Sequence, residues 1–474
     1  YGAIDLKALK EKCEKTDFDL QKTAWLADEN GEKITCTLAE KIIGLILVKF
    51  STLDSAQMGI EMECEKPGWN DAMNGLPGLF ASGVSESVEL LRLVRYASKH
   101  LKPFAKRKIS LLPEQYRLYV GMREALEQLQ KQEITRFQYW DRATSLRENL
   151  RKSYQDHAES ARNEVNLVHL LAFLQEMDAV LSDGLKRAKE AGKGILPSYL
   201  IYRVASYEKT DKTNHLGYPI VKVTSFALET LPPFLEASAR ALKLADGTLD
   251  KTDYETIKAS DLYDHTLHFY KTCAAIDDAP FEIGRVHAFT KGWLERECNF
   301  LHMDYKYMLG LLEAGFYSEF FAEIKDSFVV YMDPFVYGRN PSEASSFVVP
   351  TCNPDSSKHG RGYFARLTGA NAEFLNMAVL LFAGDSLFSN EGGKLHFHLE
   401  PKLSKDFFDE KGDASFLLFS HCEVVYHNPD QLDCYKGVKL HYSIAGKSYE
   451  TIDGGLAEDI RSGKIAKIDV RISR

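Results

Sequence analysis

The chain reads as a mainly α protein that ends in a small β domain, and three observations carry that reading. Residues 38–50 (LAEKIIGLILVKF) are strongly apolar, as a buried helix is. Residues 112–193 are highly charged and, over 121–190, show apolar residues at i, i+3 and i+4 with few Gly or Pro. After about residue 390 the period changes to alternation in KLHFHLEP, ASFLLFSHCEVVYHN, KGVKLHYSIAG and KIDVRIS, which reads as strands joined by turns.

The elements follow in order. Residues 1–60 are expected to enter by a strand or loop and continue as helix. Residues 61–83 carry Pro67, Gly68, Gly75, Pro77, Gly78 and Gly83, a composition that breaks regular structure and predicts a loop. A helix restarts over 85–95, with Ser85 as N-cap and Glu86 and Glu89 in its first turns. The charged helices of 112–193 are read as an outer layer with solvated faces. Residues 194–234 are aromatic and marked by Pro, and read as loops and short strands over a cleft. Helix returns over 235–330, interrupted at 281–302, and 332–364 is a long loop whose Tyr, Phe and Val content argues for order. The domain boundary falls at 385/386, separating residues 1–385 from 386–474.

Bulk properties narrow the function classes. The 474 residues are 45% hydrophobic and carry a net charge of -9, which argues against a nucleic-acid partner. The one short basic patch, Lys106-Arg107-Lys108, reads as a solvated helix end. No run of about 18 apolar residues is present, so no membrane-spanning helix is expected. The eight cysteines show no CxxC pair, which argues against a zinc or redox site and fits a reducing, cytoplasmic setting. The chain opens at Tyr1 and not at Met, and is read as lacking an N-terminal part.

Three constellations carry chemistry. In Lys66-Pro67-Gly68-Trp69-Asn70-Asp71-Ala72-Met73-Asn74-Gly75 a carboxylic acid stands between an indole, two amides and glycines. Cleavage of a glycosidic bond needs an acid to protonate the leaving oxygen. An apolar neighbour such as Trp69 can raise that acid's pKa, and Asn70 or Asn74 can orient it. On composition alone a plain turn is the better explanation of the string. The second constellation is the run from Trp293 to His302 (WLERECNFLH), and the third is Arg366-Leu367-Thr368-Gly369.

The string CEKPGWNDAMNGLPG, followed by SESVELLRLV, resembles the catalytic loop of the cellobiose-phosphorylase family, glycoside hydrolase family 94, and within it the 1,2-β-oligoglucan phosphorylases. The resemblance extends over the whole chain, with the three motifs in the family's order. It implies a partial (α/α)6 barrel of the six-hairpin glycosidase type followed by a C-terminal β-sandwich. It implies Asp71 as general acid, Trp69 and Asn70 as substrate-binding residues, and His302, the Thr368 hydroxyl and the Gly369 amide as phosphate-binding residues. The loop segments Met332–Gly338 and 340–347 then shape the sugar or phosphate side of the cleft. The long helical stretch at 112–193 departs from the disaccharide phosphorylases and argues against cellobiose as the substrate.

The reaction so implied is hexosyl transfer. A β-linked, in particular β-1,2-linked, gluco-oligosaccharide is split by inorganic phosphate with inversion, giving α-glucose 1-phosphate. Phosphate is a co-substrate, no cofactor or metal is required, and a homodimer is compatible with the family. Phosphate-site arginines and donor-sugar residues of the family lie upstream of this chain, so the chain by itself is expected to hold an incomplete site. Two other readings compete. An inverting hydrolase would need a base carboxylate opposite Asp71, for which Glu297 and Glu343 are candidates. The third is a non-catalytic carbohydrate-binding chain.

Overall fold

The computed structural model describes residues 25–63, 68–340, 342–364 and 369–474, with Lys7, Lys10, Glu11 and Glu14 before them. It corrects the expected fold class. Helix accounts for 44% and strand for 22%, and the strands are spread over several small sheets along the chain, so the protein is mixed α and β and not a mainly α barrel with a terminal β-sandwich. The chain forms two compact units. The first is residues 1–300 with Val349–His359, and the second is Leu301–Val348 with Gly360–Arg474.

In the first unit the helix Leu38–Phe50 starts at a capping box. The Thr37 hydroxyl accepts from the Glu40 amide at 3.2 Å, and the Glu40 carboxylate accepts from the Thr37 amide at 2.5 Å. Its buried side chains, Ile43, Ile46, Leu47 and Phe50, recur at helical spacing. The next helix, Val84–Leu101, begins one residue earlier than expected. Gly83 is its N-cap and makes no side-chain cap bond, while Ser85 is buried inside the first turn. The charged stretch resolves into Pro113–Gln130, Arg136–Asp156 and Leu167–Ala191. The last is not an outer helix alone: Leu170, Phe173, Leu174, Met177 and Leu181 are buried, and it packs on Val84–Leu101.

The segment expected as loops and short strands is a long hairpin, Tyr199–Thr213 against Pro219–Thr230. β-Branched and aromatic residues in both arms favour extended backbone. The connection is set by Asn214, whose side chain accepts from the Leu216 and Tyr218 amides at 2.9 and 3.0 Å, and by Gly217 at φ +82°. At its base the hairpin pairs with Ser82–Gly83, and that strand pairs with Ile60–Glu61 (Ile60 opposite Gly83). The two ends of the 61–83 segment are therefore clamped together, and the Asp71 motif is the excursion between them.

The second unit holds the helices Leu301–Glu313, Tyr317–Ser327 and Gly369–Phe382. Its five-stranded sheet runs Asp413–Leu418, Cys422–His427, Lys467–Ser473, Lys439–Ile444, Lys447–Tyr449. Cys422–His427 and Lys467–Ser473 are parallel, with Val424 opposite Ile468. A parallel neighbour requires a crossover, and the helix Gly454–Arg461 lies on that connection. The tail is therefore not all β.

Candidate active site

Asp71 begins a short 3-10 turn, Asp71–Met73, capped by Asn70. The Asn70 side-chain oxygen accepts from the Ala72 amide at 3.1 Å, and Asn70 itself is buried. Its Nδ2 is buried with no hydrogen-bond partner among the described residues. The turn is anchored from below, because Ala72, Met73 and Leu76 enter one apolar cluster with Phe234, Ile283 and Val286. Burying a side chain of that size contributes about 1.5–3 kcal/mol. Asp71 points the other way and is exposed.

A second segment, the two 3-10 turns Phe281–Ile283 and Arg285–Ala288, is stitched along this loop. The Gly75 amide donates to the Ile283 carbonyl at 3.1 Å, and the Asn74 side chain accepts from the Arg285 amide at 2.9 Å. Two glycines permit the approach. A Cβ on Gly75 would overlap the Glu282 carbonyl. Gly284 has φ +136°, and a Cβ there would stand 2.6 Å from the Ala72 carbonyl oxygen. The approach delivers the Arg285 guanidinium to Asp71, Nη2 to Oδ2, at 2.9 Å.

The Trp293–His302 motif brings a second carboxyl group. Trp293 and Arg296 bridge across a tight turn with Leu294 in the left-handed region at φ 53°, so Glu295 sits at the corner. Arg296 donates to the carbonyls of His287 and Phe289, each at 3.1 Å, and so ties this turn to the segment that carries Arg285. Glu295 is half-buried. Burial pushes its pKa above the usual carboxylate range, the negative charge of Asp71 pushes it further, and Arg285 opposes the shift. Trp69 packs on Phe300 with ring centroids 5.0 Å apart.

The two base candidates read from the sequence have other charged partners. Glu297 is buried beside Lys291 and Arg296, at 3.6 and 3.8 Å, in an ion network that also feels Lys271, Asp277 and Asp261. Glu343 lies in the second unit and pairs with Arg339 at 2.9 Å. Glu295 lies inside the Trp293–His302 motif, and Arg285 lies outside all three motifs. No spacing rule marks either, since their roles arise from a contact between distant segments.

In the second unit His302 opens the helix Leu301–Glu313 and stands 3.5 Å from the Glu373 carboxylate, which Lys306 also meets at 3.0 Å. Gly369 begins the helix Gly369–Phe382, and a Cβ there would overlap the His302 ring. His302 and Gly369 are thus adjacent. Thr368 lies outside the described residues. Among the described residues no group of three or more His, Cys, Asp or Glu side chains could hold a metal ion, and no helix is long and apolar enough to cross a membrane. No family model matches the chain, and no curated protein matches it.

Proposed function

We propose that the protein is an inverting glycoside phosphorylase that splits β-linked gluco-oligosaccharides, β-1,2-linked ones in particular, with inorganic phosphate to give α-glucose 1-phosphate. The observation that carries this reading is Asp71: an exposed carboxyl on a buried, glycine-stitched loop, with Arg285 at 2.9 Å. To act as the general acid Asp71 first takes up a proton and leaves its ion pair with Arg285; it then gives that proton to the glycosidic oxygen as the C–O bond breaks, and phosphate forms the new bond to the anomeric carbon from the opposite face. The anion left on Asp71 is then stabilised by Arg285. Phosphate arrives already anionic, so positioning it is enough, and no base is required. The resemblance assigns His302, the Thr368 hydroxyl and the Gly369 amide to hold it.

One observation favours a second reading. Glu295 feels the charge of Asp71, and two carboxyl groups held in unlike environments are what an inverting hydrolase uses. The test is to incubate the protein with a β-1,2-linked gluco-oligosaccharide with and without inorganic phosphate. Phosphate-dependent α-glucose 1-phosphate that disappears in Asp71→Asn supports the phosphorylase. Free glucose released equally well without phosphate overturns it in favour of the hydrolase.

A further inference from the structure

The first unit contains a cavity of about 560 Å³ that does not include Asp71 in its lining. It sits at the root of the Asp71 loop, where Glu61 and Glu63 enter and Phe80 leaves. Its volume lies within the roughly 300–1,000 Å³ of small-molecule sites. One wall is aromatic and centred on Phe226 of the long hairpin. Its ring lies 5.5 Å from Trp140, 5.7 Å from Phe80 and 6.0 Å from Tyr202. Phe80 reaches this wall with φ 50°, a conformation unusual for a bulky side chain.

The rest of the lining is charged, and its pairing defines what it can accept. Glu61 takes the Trp140 indole N–H at 2.5 Å on one oxygen and Arg147 at 3.1 Å on the other. Arg147 also donates to the Ser51 carbonyl at 3.0 Å and pairs with Glu148 at 3.1 Å. Arg151 pairs with Glu63 at 2.5 Å and with Glu148 at 3.0 Å. Both guanidinium groups are thus engaged by carboxylates, and the lining holds four acids, Asp54, Glu61, Glu63 and Glu148, against two arginines. An excess of carboxyl groups over guanidinium groups disfavours phosphate and other anions. A carboxylate has about four acceptor sites, so Glu61 retains capacity for a hydroxyl donor after its two bonds. The Thr144 hydroxyl on the lining is buried with no partner among the described residues.

We propose that this cavity binds a neutral pyranose, with the apolar face of the sugar against Phe226 and Trp140 and its hydroxyls donating to Glu61 and its neighbouring carboxylates. An apolar face edged by hydroxyls suits a lining that is aromatic in one part and carboxylate-rich in another. The choice of β-linked glucose as that sugar rests on the function proposed above; the class, a neutral saccharide, does not.

The test measures binding and not turnover. The Asp71→Asn protein is titrated with a β-1,2-linked glucose trisaccharide by calorimetry, with and without inorganic phosphate. Binding is expected, unchanged by phosphate, and weakened at least tenfold by Phe226→Ala. Thr144→Phe, which fills the cavity and leaves the aromatic wall in place, is expected to weaken it as much. Both variants are checked for an unchanged thermal transition. Binding that survives both substitutions, or no saccharide binding at all, overturns the proposal. The phosphate-dependent release assay is scored separately on the unsubstituted protein, so loss of one reading is distinguishable from loss of the other.

Discussion

The Arg285 guanidinium meets the Asp71 carboxylate at 2.9 Å, although the two residues come from distant parts of the chain and both are more than half exposed. An exposed pair of this kind adds little to stability, about 0–1 kcal/mol. Its effect is expected in the rate. Arg285→Ala should lower kcat for phosphorolysis by about 10–100-fold, and Asp71→Asn by about 10²–10⁴-fold. Melting temperatures should stay close to that of the parent. Initial rates of α-glucose 1-phosphate formation with parallel thermal melts check both statements.

Glu295→Gln separates the two enzymatic readings. A phosphorylase needs no second carboxylate, so phosphate-dependent product should fall by less than about tenfold, whereas a hydrolase would lose a group contributing about 10²–10⁴-fold. The informative readout is the ratio of glucose 1-phosphate to free glucose in the wild type and the variant at saturating phosphate.

Gly75→Ala and Gly284→Ala should detach the Arg285 segment from the Asp71 loop, because each new Cβ meets backbone that cannot yield cheaply. A loss on the order of 1–3 kcal/mol is expected for each. Gly78→Ala is the internal control: a Cβ there meets nothing within 4 Å, and its effect should stay within about 0.5 kcal/mol. Chemical denaturation of the three variants provides the comparison.

Glu86 lies beneath the same loop, and a Cβ on Gly83 would overlap its carboxylate. Burial, with the negative charge of Glu236 adding, pushes its pKa up to about 7, against Arg240 and Lys49. Folded Glu86 therefore keeps its proton over a range where the unfolded chain has lost it. Stability contributed by the neutral form is present near pH 4.5 and is lost as pH rises towards 7. Glu86→Gln should leave stability at pH 5 nearly unchanged and raise it at pH 8 by roughly 1–3 kcal/mol. A pH series of thermal melts in which the two proteins differ equally at both ends would contradict this.

Gly369→Ala places a methyl group against the His302 ring. If these two hold phosphate as proposed, the KM for phosphate should rise by about tenfold or more while the KM for the oligosaccharide changes little. Equal changes in both constants would place the effect on the fold of the helix start and not on phosphate.

The parts of this protein legible in its sequence are those that local physics decides. The apolar run at 38–50 coincides with the helix Leu38–Phe50 because helical periodicity and the Thr37/Glu40 cap act within a few residues. The glycine-rich break at 61–83 is likewise local, and so is the isolation of Asp71 between Trp69 and Asn74. Alternation after residue 390 announced strands, since the side-chain period of two is a property of the strand itself.

What the tertiary structure alone decided are the relations between segments. That Cys422–His427 and Lys467–Ser473 run parallel, which brings a helix into the tail, depends on chain path and not on side-chain period. That 199–230 is one long hairpin and not short strands depends on pairing partners, and extended backbone gains its hydrogen bonds only from a partner. The same holds at the candidate site. Asp71 stands out in the sequence only through the resemblance of its loop, and Arg285 reaches it only because Gly75 and Gly284 let two remote stretches of backbone close on each other. A residue's neighbours in space are set by that closure, and no local pattern encodes it.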